Sequence, residues 1–162
     1  MEQVRIISAA SAHPPLRVPQ DVAAAHIGAL CGDARRVRAI ARGTRIQSRA
    51  AVLPPEQLAT LGSIAERNAI YQRFAPALAR EAVLCALGES PRDRVGCVVT
   101  SSCTGYTVPG WGVELVESLG LPLDTARLPI TEAGCAGGGV ALARAADYLR
   151  TRPGACGVAA AA

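Results

Sequence analysis

Aromatic residues are nearly missing from this sequence: one Phe, one Trp and three Tyr in 162 residues. Any core must therefore be assembled from Ala, Val, Leu and Ile. With 50% of residues hydrophobic, the length is enough for one domain with a real core. Lysine is absent altogether, and all 17 basic residues are Arg. The net charge of +4 is spread along the chain. No aromatic residues interleave with the Arg residues and no nucleic-acid module signature appears, which argues against a nucleic-acid partner. No apolar run is long enough to span a bilayer, which argues against a membrane-embedded protein. Met1 to Ala10 lacks the basic stretch and long apolar segment of a secretory signal. The six cysteines, Cys31, Cys85, Cys97, Cys103, Cys135 and Cys156, include no Cys-x-x-Cys pair. The two histidines, His13 and His26, lie far from them in sequence. Neither a disulfide scaffold nor a zinc site is supported, no residue is assigned to a metal, and a reduced, cytoplasmic protein is expected.

What is present is concentrated at Thr131 to Ala146, TEAGCAGGGVALARAA. Arg127 to Thr131 reads as a short strand, and an apolar pattern of helical spacing follows the glycines. A strand, a sharp glycine-flanked turn and a helix would lift Cys135 to the N-terminal end of that helix. There the unpaired backbone N–H groups and the helix dipole favour negative charge. Thiolate is the reactive form of cysteine, and the small neighbours leave room for a carbonyl to approach. Cys135 is thus a candidate nucleophile of the kind that carries an acyl group as a thioester. The competing reading is a small apolar residue buried in a tight packing turn.

Along the chain, Val4 to Ala10 is expected to be a strand and His13 to Pro19 an extended loop. Asp21 to Leu30 reads as a helix. Asp33 caps a second helix, Ala34 to Ala41, which Gly43 ends. That helix begins an Arg cluster: Arg35, Arg36, Arg38, Arg42, Arg45 and Arg49. The cluster could bind phosphate through bidentate guanidinium contacts or be a solvated face. Arg45 to Leu53 is expected to be irregular, and Pro55 to Leu61 a short helix. Ser63 to Leu87 is a longer helix with a Ser63/Glu66 capping box, kinked or divided at Pro76. Its buried face is assigned to Leu78, Val83, Leu84 and Leu87. Val95 to Ser101 is a continuous apolar run, the mark of a central strand covered on both faces. Ser102 to Gly110 is a turn-rich loop, Trp111 to Leu119 a helix and Ala155 onward a strand. The alternation points to an α/β layered fold without a domain boundary. The sequence ends inside that apolar strand, from which a truncated chain is expected.

Two motifs, taken together, resemble a family. Thr104-Gly105 with Val108-Pro109-Gly110, and Gly134-Cys135-Ala136-Gly137-Gly138, are similar in content and separation to those of type III polyketide synthases. These are the chalcone-synthase-like enzymes of the thiolase superfamily. Weaker similarity runs back through Ser63 to Gly88 and the Arg-rich segment. The resemblance implies a thiolase-like fold of which residues 1–162 are the N-terminal half. It implies that Cys135 accepts a starter acyl group from its CoA thioester and is extended with malonyl-CoA by decarboxylative condensation. The backbone N–H of Cys135 would help hold the thioester oxyanion. Arg36, Arg38 and Arg42 would meet CoA phosphates, and Cys103 and Thr104 would line the acyl pocket. Val108 would lie in the loop that reaches toward the partner of a homodimer. CoA thioesters would be substrates, with no separate cofactor.

The family also uses a His and an Asn from its second half. This sequence has no matching motif for either, and His13 and His26 are not assigned to catalysis. The isolated chain is therefore expected to acylate at most slowly and to fail at condensation. Without that half it is also expected to associate or aggregate. Two alternatives stay open: a catalytically inactive module that dimerises or binds acyl groups, and a ketoacyl synthase of the initiating type, which shares the Cys-Ala-Gly turn.

Overall fold

A computed structural model describes residues 3–162. They form two compact units, one of His13–Glu66 and one of Arg67–Ala162 with the segment up to Ala12. The sequence carries no linker at that division, because residue 66 falls in the first turn of a helix.

In the smaller unit, β1 (Leu16–Pro19) leads directly into α1 (Gln20–Cys31), which Gly32 ends at φ +69°. That left-handed conformation favours glycine. Asp33 then caps α2 (Ala34–Gly43), its Oδ1 accepting from the Arg36 N–H at 3.0 Å. α1 and α2 approach closely at Gly28, where a Cβ would lie 2.8 Å from the Ala34 Cα. α2 runs through Gly43, and the left-handed residue that turns the chain is Arg45, at φ +57°. The next segment is not irregular: it contains β2 (Ser48–Ala51), antiparallel to β1 in the register Leu16↔Ala51 to Pro19↔Ser48. α3 (Pro55–Thr60) starts on proline as expected. The capping box is present: the Ser63 Oγ accepts from the Glu66 N–H at 3.1 Å, and the Glu66 carboxylate accepts from the Ser63 N–H at 2.8 Å.

The larger unit is a layered α/β body. α4 (Ile64–Leu87) continues through Pro76, which is buried within it. The buried side chains of α4 are Tyr71, Ala75, Pro76, Ala79 and Val83, with Leu84 and Leu87 packed beside them. Tyr71, Ala75, Ala79 and Val83, at i, i+4, i+8 and i+12, form one stripe of the helix that shares a core cluster with Val95 and Val98 of the sheet. A 3-10 turn leads to β3 (Val95–Ser101), then α5 (Gly112–Ser118), β4 (Ala126–Ile130), α6 (Gly137–Leu149) and β5 (Cys156–Ala161). The sheet order is β4-β3-β5, all parallel. β3 is the central strand and almost wholly buried, as its apolar run implies. Val95 and Val98 pack with α4 and α5 on one face; Cys97 and Val99 pack with Ala141 and Ala145 of α6 on the other. The expected strand at Val4 to Ala10 does not form. No strand among the described residues pairs with it, and β-branched composition alone does not make a strand. Ile6 and Ile7 stay exposed, and the Ser8 hydroxyl donates to the Ala86 carbonyl of α4 at 2.6 Å.

Candidate active site

Parallel strands deliver their C-terminal ends to one edge of the sheet, where open α/β folds bind ligands. Here the last residue of β3, Ser101, is paired with the last of β4, Ile130, and with Ala161 of β5. The Ser102 N–H donates to the Ile130 carbonyl at 3.1 Å, so the two loops leave the edge side by side. One carries Cys103, Thr104 and Val108; the other carries Cys135.

The Cys135 turn has the expected form. After β4 comes a 3-10 turn, Gly134–Ala136, and α6 begins at Gly137. Gly134 has φ +52°, which a side chain would strain. Cys135 is exposed, which sets aside the reading of a buried packing residue. The glycine run has a layered explanation. A Cβ on Gly137 would lie 2.0 Å from the Ser101 Oγ and 3.2 Å from its Cβ, so a side chain there would have to displace the Ser101 hydroxyl at the end of β3. A Cβ on Gly139 would meet nothing within 4 Å beyond its own helix backbone. Gly137 is thus a packing requirement, and the contact with Ser101 was not readable from the sequence, because it joins residues distant in the chain.

The neighbouring loop is held by α4. The Asn68 Oδ1 accepts from the Tyr106 N–H at 2.9 Å, and the Gln72 Nε2 donates to the Tyr106 carbonyl at 3.3 Å. The Tyr71 ring lies against Gly105, where a Cβ would be 2.2 Å from its Cγ. Sequence reasoning missed these α4 residues; polar side chains on a helix carry no signal that separates a loop contact from a solvated face. Cys103 and Thr104 are exposed and Val108 is 89% exposed. The hydroxyls of Tyr71, Ser102 and Thr107 are buried without a hydrogen-bond partner among the described residues.

In the smaller unit, Arg38 and Arg42 stand one turn apart on α2. They line a concave surface of about 270 Å³ with Gln20, Asp21, Ala24, Ala41 and Ile46. Arg36 is on another face of the helix and does not line it. Elsewhere in the cluster, the Arg49 Nε donates to the Gln20 Oε1 at 2.8 Å. His26 lies 4.0 Å from Glu56, within ion-pair but not hydrogen-bond reach. Of the thiols, Cys97 is buried, and burial pushes its pKa up while the Arg152 guanidinium opposes the shift. Among the described residues no group of His, Cys, Asp and Glu could hold a metal ion, and no helix is long and apolar enough to cross a membrane.

Comparison with known proteins gives this geometry a family. Residues 36–162 match the model for the N-terminal domain of chalcone and stilbene synthases. The chain is 33% identical over 144 residues to a phloroglucinol synthase of Pseudomonas fluorescens, covering 85% of this chain and 41% of that protein. It is also 33% identical over 150 residues to a 1,3,6,8-tetrahydroxynaphthalene synthase of Streptomyces peucetius, covering 88% and 40%. The structure superimposes on 1,3,6,8-tetrahydroxynaphthalene synthase of Streptomyces coelicolor, a bacterial type III polyketide synthase, with a TM-score of 0.80 at 24% identity, over 93% of this chain and 44% of that one. The type III domain of a Dictyostelium type I/III hybrid gives 0.78 at 22% identity, covering 93% and 45%. The chain spans about two-fifths of the length of the curated relatives it matches. With its thiolase-like fold and a family match that covers most of its length, the chain belongs to the chalcone and stilbene synthase family, the type III polyketide synthases.

Proposed function

We propose that this chain carries the acyl-accepting part of a type III polyketide synthase, with Cys135 as the nucleophile. The observation that carries the proposal is an exposed thiol in the turn before α6, at the carboxyl edge of a parallel sheet. The Cys135 thiolate attacks the carbonyl carbon of an acyl-CoA thioester. A new C–S bond forms, and the CoA sulfur leaves with the electron pair and takes a proton from solvent. The N–H groups at the start of α6 face the charge that develops on the thioester oxygen. Arg38 and Arg42 supply a phosphate contact for CoA, and their shared concavity supports them over Arg36. Cys103, Thr104 and Val108 line the acyl pocket from the adjacent loop. Extension with malonyl-CoA by decarboxylative condensation needs a proton-transfer partner and an oxyanion donor. The resemblance implies that these are a His and an Asn from the family's second half. The exposure of Val108 suits a side chain that reaches a second copy in a homodimer. A cytoplasmic location suits the free thiols.

Intact-mass analysis after incubation with a panel of acyl-CoA thioesters, with Cys135→Ala beside it, tests this reading. A single acyl adduct is expected, absent in the variant. No adduct in a sample shown to be folded would leave the inactive-module reading in its place.

A further inference from the structure

We propose that Asn68 and Gln72 are positioning residues that set the place of the acyl-pocket loop, and so the choice of acyl group, by holding both backbone polar groups of Tyr106. The specificity half of this proposal rests on the function proposed above; the positioning half does not.

Residues 68, 71 and 72 lie at i, i+3 and i+4 and therefore share one face of α4. All three engage the same short stretch of loop. Asn68 takes the Tyr106 N–H at 2.9 Å, and Gln72 gives to the Tyr106 carbonyl at 3.3 Å. Tyr71 closes on Gly105, where even a methyl group would meet the ring at 2.2 to 2.5 Å. The segment from Ser102 to Gly110 has no regular secondary structure, so no strand or helix ladder fixes it. Tyr106 is 58% exposed, and its hydrogen bonds to α4 are not made by its side chain. Its main chain is the anchor. Cys103 stands three residues before this anchor and Val108 two after it, and a displacement of Tyr106 is carried to both. A site whose supporting residues are loose by about 1 Å loses much of its selectivity and rate.

The two amides act with opposite polarity, because a backbone N–H needs an acceptor and a carbonyl needs a donor. Asn68→Asp keeps the acceptor, whereas Asn68→Leu removes it. Gln72→Glu keeps the shape of the side chain but turns a carboxylate toward a carbonyl oxygen. A role in packing volume alone would make the two isosteric changes equivalent; the clamp makes them opposite.

The test is native-state hydrogen–deuterium exchange of the full chain, read at the Tyr106 amide, the group that Asn68 holds. Asn68→Leu and Gln72→Glu are expected to speed exchange there by roughly fivefold or more, the factor that the loss of one hydrogen bond corresponds to, while Asn68→Asp stays near wild type. Exchange across the buried strand β3 should stay slow in all of them, which separates loop release from unfolding. Equal behaviour of Asn68→Asp and Gln72→Glu, or an unchanged Tyr106 rate in Asn68→Leu, overturns the clamp. In parallel, short and long acyl-CoA thioesters compete for Cys135. The ratio of the two adducts should shift in Asn68→Leu and Gln72→Glu and not in Asn68→Asp. An unchanged ratio beside a changed Tyr106 rate overturns the specificity half alone. No adduct in the wild-type chain overturns that half together with the reading it rests on, while the Tyr106 rates still decide the clamp.

Discussion

The two units of this chain are held together by different means. In the larger one the central strand of a parallel sheet is buried and packed on both faces, and Leu115, Val116 and Leu119 of α5 and its C-terminal edge are almost completely enclosed. In the smaller one α2 and α3 bury no residue at all, and the fold is kept by caps, a short antiparallel ribbon and the close approach at Gly28. The candidate nucleophile stands on the first kind of structure and the candidate phosphate contacts on the second. Covalent chemistry needs atoms fixed within a fraction of an ångström, which only a packed framework supplies. A guanidinium on an exposed helix needs only to reach a phosphate, and its long side chain tolerates a softer support.

The contrast can be broken first in the core. Leu115→Ala is expected to cost about 2 to 5 kcal/mol of unfolding free energy, through lost burial and a cavity. Ile40→Ala on α2, where the side chain is 60% exposed, should change it by less than about 0.5 kcal/mol. Denaturant titration of both variants checks this, and equal losses would erase the distinction between the units. A finer comparison lies within α6. Gly137→Ala forces a methyl group onto Ser101 and should cost about 1 to 3 kcal/mol. Gly139→Ala meets nothing and should stabilise by up to about 1 kcal/mol through helix propensity. A rise in thermal midpoint for one and a fall for the other is the expected result. On the exposed helix the effects are smaller. Arg38→Ala and Arg42→Ala should each weaken CoA binding roughly fivefold at low salt, and less as salt screens the contact, with Arg36→Ala closer to wild type. Isothermal titration at two ionic strengths measures the difference. The smallest effect concerns Cys97. Its thiol pKa is raised in the folded state, so the neutral form is favoured there. The stabilisation is complete below the unfolded-state cysteine pKa of about 8.5 and is lost as pH rises from there through the folded value. Chemical denaturation between neutral pH and pH ~10 should show this decline, and Cys97→Ala should lack it.

Much of the larger unit is legible in the sequence, because its signals are local. Val95 to Ser101 is a strand at the residues its apolar run marks, and the Gly134-Cys135 turn sits between the strand and the helix that its neighbours specify. Local signals fail where the deciding partner is distant. Gly137 and Gly139 look alike in the sequence, and only Ser101 separates them. Asn68 and Gln72 read as a solvated helix face until the loop at Tyr106 is placed against them. Val4 to Ala10 has strand composition but no pairing partner among the described residues. Pro76 should interrupt a helix, yet α4 runs through it with Pro76 buried. In the smaller unit the Asp33 cap and the Ser63/Glu66 box were readable from single residues. β2 was not, because its pairing with β1 spans both helices between them.

The most direct test of the central claim is to locate the acyl label among the six cysteines by peptide mapping after brief exposure to an acyl-CoA thioester. Cys31, Cys85 and Cys103 are exposed like Cys135 but do not stand at the start of α6, and so serve as internal controls. Label on Cys135 ahead of all three is the result expected if position in the fold, and not exposure, makes this thiol an acyl acceptor. Label spread evenly over the exposed cysteines would contradict it.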